Sequence, residues 1–338
     1  MKRKIALVLI LLCAGGSNSF AQTNSMPGAP TAAIVAATNK FLATLDEVQR
    51  GKVVFDFKDD AQRKRWSNLP TAMYKRQGLR MGDLTQTQRD AVLGVLAAAL
   101  SPQGYEKILQ IVQADELLKK SSGETIFGRD EYHVSFVGRP SVNEPWMIQF
   151  GGHHLGLNVT LVGEQRTLAP SHTGAQPAIY ELEGKTVRPL GRETDKAFAL
   201  LSSLNESQRK QAILGFQMRD FVLGPGRDGQ MIQPEGIKGS VLTENQREML
   251  LDLAREWTGI LHEAVATAKM DEMRKNISET YFAWSGPTGK GSAAYFRIHG
   301  PTVIIEYAPQ RLGGDATKHI HTIYRDPTND YGEKWWRQ

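Results

Sequence analysis

Histidines are the residues of this chain whose type and spacing point most directly to chemistry. His153 and His154 follow Gly151-Gly152, and the pattern His319-x-His321 lies near the C-terminus. Residues two apart on a strand share a face, so His319 and His321 can direct both imidazoles to one point. The two glycines let the backbone beside His153 and His154 approach a bound group closely. These four histidines therefore predict a metal site.

The predicted ligands suit several ions and therefore several reactions. Neutral imidazole binds zinc, copper, iron or nickel. Three histidines with a free coordination position are typical of a catalytic zinc site, so zinc and hydrolysis are the first expectation. Copper or iron on the same ligands would make the protein an oxidoreductase, and a periplasmic metal- or ligand-binding protein without turnover is a further alternative. A hydrogen-bonded cluster that binds an organic substrate and a purely structural cluster also remain open.

Polar side chains close to these motifs are candidates to complete the site. Glu306 and Asp326 are candidate outer ligands or bases, and Arg325 is a candidate clamp for a carboxylate or phosphate, so these three are the expected catalytic residues. Four further polar residues are expected to bind substrate: Asn158, Tyr324, Asp330 and His299. The substrate would be a small molecule, and Trp335 and Trp336 make a saccharide or aryl group one option.

The remaining histidines carry blander expectations. His133 and His262 fall on a predicted strand and a predicted helix, where a hydrogen-bonded structural role is expected. His172 lies among Pro, Ser and Thr residues, which predicts an exposed loop. Common catalytic motifs are absent from the sequence: there is no Gly-x-Ser-x-Gly and no His-Glu-x-x-His, so the serine-hydrolase and common zinc-peptidase classes are disfavoured.

The elements that must position these residues begin with a repeated helix start. A phrase of the form Leu-x-x-x-Gln-Arg occurs four times, and its second residue and its glutamine can form a capping box. The first and third copies lie 159 residues apart, and the second and fourth lie 158 apart. The four copies begin at Leu45, Leu84, Leu204 and Leu242. The matched offsets predict an internal duplication.

Alternating strands follow the helices in both halves. The predicted strands are 131–137, 146–150 and 155–162 in the first half, and 279–284, 293–298 and 303–307 in the second. The expected fold class is therefore α+β, internally duplicated, each half a helical hairpin or bundle followed by an antiparallel β-meander, packed as one domain. The expected bounds are about 34–165 and 194–307 for the halves, 163–192 for a long connection, and 308–338 for the His-x-His strand and tail.

The N-terminus predicts export. Residues 1–21 combine three basic residues, a short apolar run and a Ser19-Phe20-Ala21 cleavage site, which is the layout of a secretory signal peptide. Residues 22–33 read as a mobile leader. Cleavage would remove the only cysteine, Cys13, and three basic residues with no acid, so the formal charge would fall from +5 to +2. The expectation is a periplasmic or secreted protein with no nucleic-acid partner and no stable membrane insertion after cleavage.

At these motifs the chain resembles the domain-of-unknown-function 3500 family of exported bacterial proteins. The resemblance covers nearly all of the chain beyond the signal peptide. It rests on the Leu-x-x-x-Gln-Arg helix starts, the Gly151-Gly152-His153-His154-Leu155 turn, and the ending His319-x-His321-x-x-Tyr324-Arg325-Asp326-Pro327-x-Asn329-Asp330-Tyr331-Gly332. The resemblance implies that the histidine motifs belong together, and it leaves the reaction open.

Overall fold

A computed structural model of the 338-residue chain describes residues 30–312 and 314–337. The predicted signal peptide lies outside these residues. Helix α1 begins at Pro30, four residues before the expected start of the folded chain at Ile34. Proline suits the first turn of a helix because its missing N–H would have no partner there. Within the described residues, no helix is long and apolar enough to cross a membrane.

The four repeated phrases all start helices, as predicted. In each copy the N-cap side chain accepts from the backbone of the glutamine, and the glutamine side chain accepts from the N-cap backbone. The glutamines also join their helices in pairs, with Gln49 bonded to Gln88 at 3.0 Å and Gln208 bonded to Gln246 at 2.9 Å. The capping signal therefore fixes both the helix starts and a contact between successive helices.

Ten α-helices lie in the described residues. They are α1 (Pro30–Ala43), α2 (Glu47–Val53), α3 (Asp60–Arg63), α4 (Gln86–Ala99), α5 (Pro102–Ser122), α6 (Gly191–Ser203), α7 (Glu206–Ala212), α8 (Glu244–Thr258), α9 (Glu263–Lys275) and α10 (Glu333–Trp336).

Fourteen strands accompany them. They are β1 (Val54–Phe55), β2 (Leu79–Arg80), β3 (His133–Val137), β4 (Trp146–Gly152), β5 (Leu155–Val162), β6 (Gln165–Thr167), β7 (Ser171–Ala175), β8 (Tyr180–Leu182), β9 (Lys185–Val187), β10 (Ile237–Lys238), β11 (Tyr281–Ser285), β12 (Tyr295–Gly300), β13 (Val303–Pro309) and β14 (Ile320–Arg325). The six strands predicted from alternation are all present, and the His-x-His segment forms β14.

Twelve of the strands form one mixed sheet. Its order is β1-β3-β4-β5-β7-β14-β13-β12-β11-β10, with β2 and β6 paired to β3 and β5. The pairs are antiparallel except for β1 with β3. The central pair joins β7 to β14, with Gly174 opposite His321 and His172 opposite Ile323. The structure is therefore a mixed α/β domain in which one sheet spans both parts of the chain.

The segment between the predicted halves differs from the expectation of an irregular connection. It contains β7, which lies at the centre of the sheet, and the small β8–β9 hairpin. His172 is therefore a buried strand residue rather than an exposed loop residue. Its neighbours in sequence, Pro170 and Pro177, flank the strand without interrupting it, which is why a loop was the natural reading of the composition.

The two faces of the sheet are covered differently. On one face the helices pack, and Trp257 of α8 donates to Thr322 of β14 at 2.9 Å. On the other face two long segments, 56–78 and 214–236, lie over the strands and contribute Trp66 and Phe221 to a small apolar cluster around Ile323. Because both faces are covered, the strands are buried on both sides instead of half-exposed.

Candidate functional site

The first two histidines of the cluster occupy the two-residue turn between β4 and β5. Gly152 pairs with Leu155 across this turn, leaving His153 and His154 between the strands. His154 has a φ of 63°, in the left-handed region that only a small fraction of non-glycine residues adopt. The Gly174 N–H donates to the His154 carbonyl oxygen at 2.7 Å, so the turn is fixed to β7 at the sheet centre.

Three imidazoles converge through their Nε2 atoms. The Nε2 of His154 lies 2.9 Å from that of His319, and the Nε2 of His319 lies 3.0 Å from that of His321. All three side chains are buried, and one nitrogen of each lies within 4.8 Å of the others. Around an ion with Zn–N bonds of about 2.0–2.1 Å, tetrahedral ligand nitrogens are roughly 3.3 Å apart. The spacing of the three nitrogens is close to that of a metal-binding set.

The opposite nitrogen of each imidazole faces a different partner. The Nδ1 of His319 lies 2.8 Å from the carbonyl oxygen of Leu312, and the Nδ1 of His154 lies 3.4 Å from Oδ1 of Asp115. The Nδ1 of His321 lies 3.4 Å from the side-chain amide of Asn68. Such outer partners orient metal-bound histidines and determine which nitrogen carries the proton.

The proton positions leave two lone pairs facing each other. Because the Leu312 oxygen only accepts hydrogen bonds, the Nδ1 of His319 must carry a hydrogen, and its Nε2 is then a bare acceptor when the ring is neutral. The Asp115 carboxylate favours the same arrangement in His154. Two bare nitrogens 2.9 Å apart repel unless a cation lies between or beside them. The geometry thus calls for a bound metal ion or for an extra proton.

Burial disfavours the extra proton. It holds the pKa of His154 and of His321 well below the usual value of histidine, and neighbouring histidines add to the effect. Burial also lowers the pKa of His319. Neutral imidazole is the form that binds metal, so the buried cluster is held in the state that a metal ion requires.

Asp115 is a member of the cluster that the sequence interpretation missed. It lies on α5, is fully buried, and its Oδ1 is 2.8 Å from the Nδ1 of His153. His153 was expected to join the other three histidines, but its ring turns to Asp115 and stacks on Phe127 with centroids 4.8 Å apart. The available sequence feature was an acid on the apolar side of a helix, in line with Ile108 and Ile111.

His172 is the second missed member. Its ring is fully buried with its centroid 5.1 Å from that of His321, and neither ring nitrogen has a hydrogen-bond partner among the described residues. Burial lowers its pKa to about 3. Phe221 lies against both rings, with centroids 5.8 Å from His172 and 5.9 Å from His321.

Glu306 and Arg325, expected to be catalytic, contact the segment that covers the cluster. Glu306 accepts from the backbone N–H groups of Val222 and Leu223 at 2.9 and 2.8 Å, and from the hydroxyl of Tyr295. Arg325 donates to the carbonyl oxygens of Leu223 and Gly224 at 2.7 and 3.0 Å. Their contacts therefore place them as anchors of the segment that bears Phe221.

Asp326 and Tyr324 lie at the far end of β14, in a different cleft. This cleft has an empty volume of about 1400 Å³ and is also lined by Lys269, Glu272 and Trp335. Lys269 donates to Asp326 at 2.6 Å, so the carboxylate already has a cationic partner. Neither residue contacts the histidine cluster, because β14 extends away from His321 toward this end of the sheet.

The other predicted substrate-binding residues are dispersed. Asn158 on β5 bonds to Gln149 and to the Pro170 carbonyl. His299 lies on β12, two strands from β14, and burial lowers its pKa to about 4. Asp330 accepts from Arg325 at 2.7 Å, and burial raises its pKa to about 6. The structure brings none of the three into contact with the imidazoles.

A mixed α/β domain with a buried cluster of histidines is the class of protein that the fold and site define. The chain belongs to the family described as "Protein of unknown function (DUF3500)", whose model matches residues 27–333, as the motifs predicted. No curated protein and no solved structure matches the chain.

Proposed function

We propose that this protein is an exported metal-dependent enzyme whose ion is bound by His154, His319 and His321. The observation that carries the proposal is the convergence of their Nε2 atoms at 2.9 and 3.0 Å while each Nδ1 faces another group. A structural histidine cluster has no need to direct three acceptor nitrogens to one point. Three nitrogen ligands leave a position for a water molecule or substrate, which is the catalytic arrangement.

Zinc and hydrolysis are the preferred ion and reaction. The ligand set is all nitrogen, as in several catalytic zinc sites, and a zinc ion in such a site lowers the pKa of coordinated water to near neutrality. Asp115 lies beside His154 and would strengthen that ligand as an outer carboxylate partner. Copper or iron would use the same nitrogens and support oxidoreductase chemistry instead.

Binding without turnover is the second candidate, and one observation favours it. His154 is fully buried, and His319 and His321 are only 5% and 6% exposed, so a substrate would reach the ion through a narrow opening. A metal-handling protein needs only to admit the ion, whereas an enzyme must admit a substrate as well.

Metal analysis of the purified protein tests the proposal. We expect tightly bound zinc in the wild type, loss of that ion in His321→Ala, and retention in the control His299→Ala, which removes a buried imidazole outside the cluster. Metal-free wild-type protein that also fails to take up zinc would end the proposal. Chromogenic carboxyl esters, phosphate esters and glycosides then separate the candidates, because the enzyme must hydrolyse at least one class in a His321-dependent way.

Export and internal duplication are further proposals. Residues 1–21 support export, and N-terminal sequencing of protein from the periplasm or medium should begin at Gln22. The duplication is supported by matched element order: two capped helices, a 3-10 turn, two longer helices and antiparallel strands occur in each part. We propose a pseudo-twofold axis between β7 and β14, where the two parts of the sheet meet.

A further inference from the structure

A second group of ligand atoms adjoins the first and shares one residue with it. Atoms of Asp115, His153 and His154 lie within 4.8 Å of one another, and all three residues are buried. Oδ1 of Asp115 is 2.8 Å from the Nδ1 of His153 and 3.4 Å from the Nδ1 of His154. The two imidazole rings lie with centroids 3.6 Å apart. His154 therefore has one nitrogen in each group.

The Nδ1 of His154 is unsatisfied in this arrangement. It is buried and has no hydrogen-bond partner among the described residues, because its approach to Asp115 is too long and poorly aligned. A buried polar atom without a partner costs about 1–3 kcal/mol and calls for an explanation. A bound cation would satisfy it.

The charge of Asp115 points the same way. Its carboxylate is fully buried and, within residues 30–312 and 314–337, no lysine or arginine nitrogen lies within 4.0 Å of it. Oδ2 accepts only from the Gly128 N–H, at 3.2 Å. The guanidinium of Arg76 is held elsewhere by backbone carbonyl oxygens, including that of Gly152. A buried carboxylate without a cationic partner is unfavourable, and a divalent cation would compensate it.

We propose that Asp115, His153 and His154 bind a second divalent cation, and that the His154 imidazole bridges the two ions. The inference rests on the proposed first ion, because only then does the Nε2 of His154 already have a metal partner. Binding of the second ion displaces the Nδ1 hydrogen of His154 as a released proton. His153 keeps its hydrogen by moving it to Nε2. One carboxylate oxygen and two nitrogens are a donor set that zinc accepts.

Titration of the metal-free protein with zinc chloride tests the second site. We expect two ions per chain for the wild type and one for His153→Ala, since His153 belongs only to the second group. The first-site affinity of this variant should stay within about tenfold of the wild type, because only an outer contact of His154 changes. His133→Ala, which removes a partly buried imidazole from β3, is the matched control and should bind two. Asp115→Asn, nearly unchanged in shape, is the second variant and should bind one.

The outcomes separate the two proposals. One ion in the wild type and one in His153→Ala would overturn the second site and leave the proposed function standing. No ion in the wild type would overturn both. Electron paramagnetic resonance with copper(II) tests the bridge itself. We expect the second equivalent of copper to quench the signal of the first through magnetic coupling across the imidazole. A doubled, uncoupled signal would overturn the bridge.

Discussion

Truncation of His321 offers the sharpest test of the proposed metal site. This residue lies on β14, between β7 and β13, so its backbone is held by strand pairing on both sides. Its side chain contributes one of the three converging nitrogens. His321→Ala should therefore remove a ligand while leaving the sheet intact.

The magnitude follows from the linkage between binding and folding. Zinc at 100 times its dissociation constant stabilises the wild type by about 2.7 kcal/mol. Loss of a direct ligand weakens binding by at least the roughly 100-fold that loss of an outer partner can cost, so the same zinc stabilises the variant by only about 0.4 kcal/mol. A chain of this size has an unfolding entropy of roughly 0.65 kcal/mol/K, so the Tm shifts are about 4 °C and below about 1 °C.

Differential scanning calorimetry after removal of metal with a chelator measures both shifts. Each protein is scanned with and without zinc chloride at a fixed concentration, since the Tm depends on free ligand. His299→Ala should shift as the wild type does, because His299 lies two strands away. An equal zinc-dependent shift in wild type and His321→Ala would refute the assignment of this ligand.

Three further predictions concern the surroundings of the cluster. Burial lowers the folded-state pKa of His172 to about 3, so the unfolded state binds its proton first as the pH falls below about 6.5, and stability is lost in that direction; His172→Gln should reduce the slope of unfolding free energy against pH by about 1.4 kcal/mol per unit, measured by urea unfolding of metal-free protein. Glu306→Gln should cost about 1–3 kcal/mol and accelerate amide exchange in the 214–236 segment, with zinc stoichiometry unchanged; loss of zinc would contradict the anchoring role. At Gly174 a Cβ would lie 3.2 Å from two imidazoles, so Gly174→Ala should weaken zinc binding at least about tenfold, as judged by competition with a chelator; Gly94→Ala, with open space around its Cβ, is the control and should not.

Some members of the site were predictable because their signals are local. Strand alternation sets the shared face of His319 and His321 whatever else the strand contacts. The paired glycines before His153 and His154 mark a close backbone approach, and both residues of that turn lie in the cluster. By contrast, proximity in sequence to these motifs was a poor guide for Glu306 and Asp326, because neighbouring positions on a strand point to opposite faces or extend away along it.

The sequence by itself determined the helix starts, the main strands and the histidine motifs, since capping boxes and alternation depend on residues only a few positions apart. Tertiary structure alone decided which groups meet. The pairing of β7 with β14 brings His172 beside His321, and the packing of α5 brings Asp115 to His153 across 38 residues of chain. Such contacts depend on the order of strands and the docking of helices, which no local pattern encodes. The direction of each Nε2 was likewise decided by the partners of Nδ1, and those partners come from α5, from the residues before β14 and from the 56–78 segment.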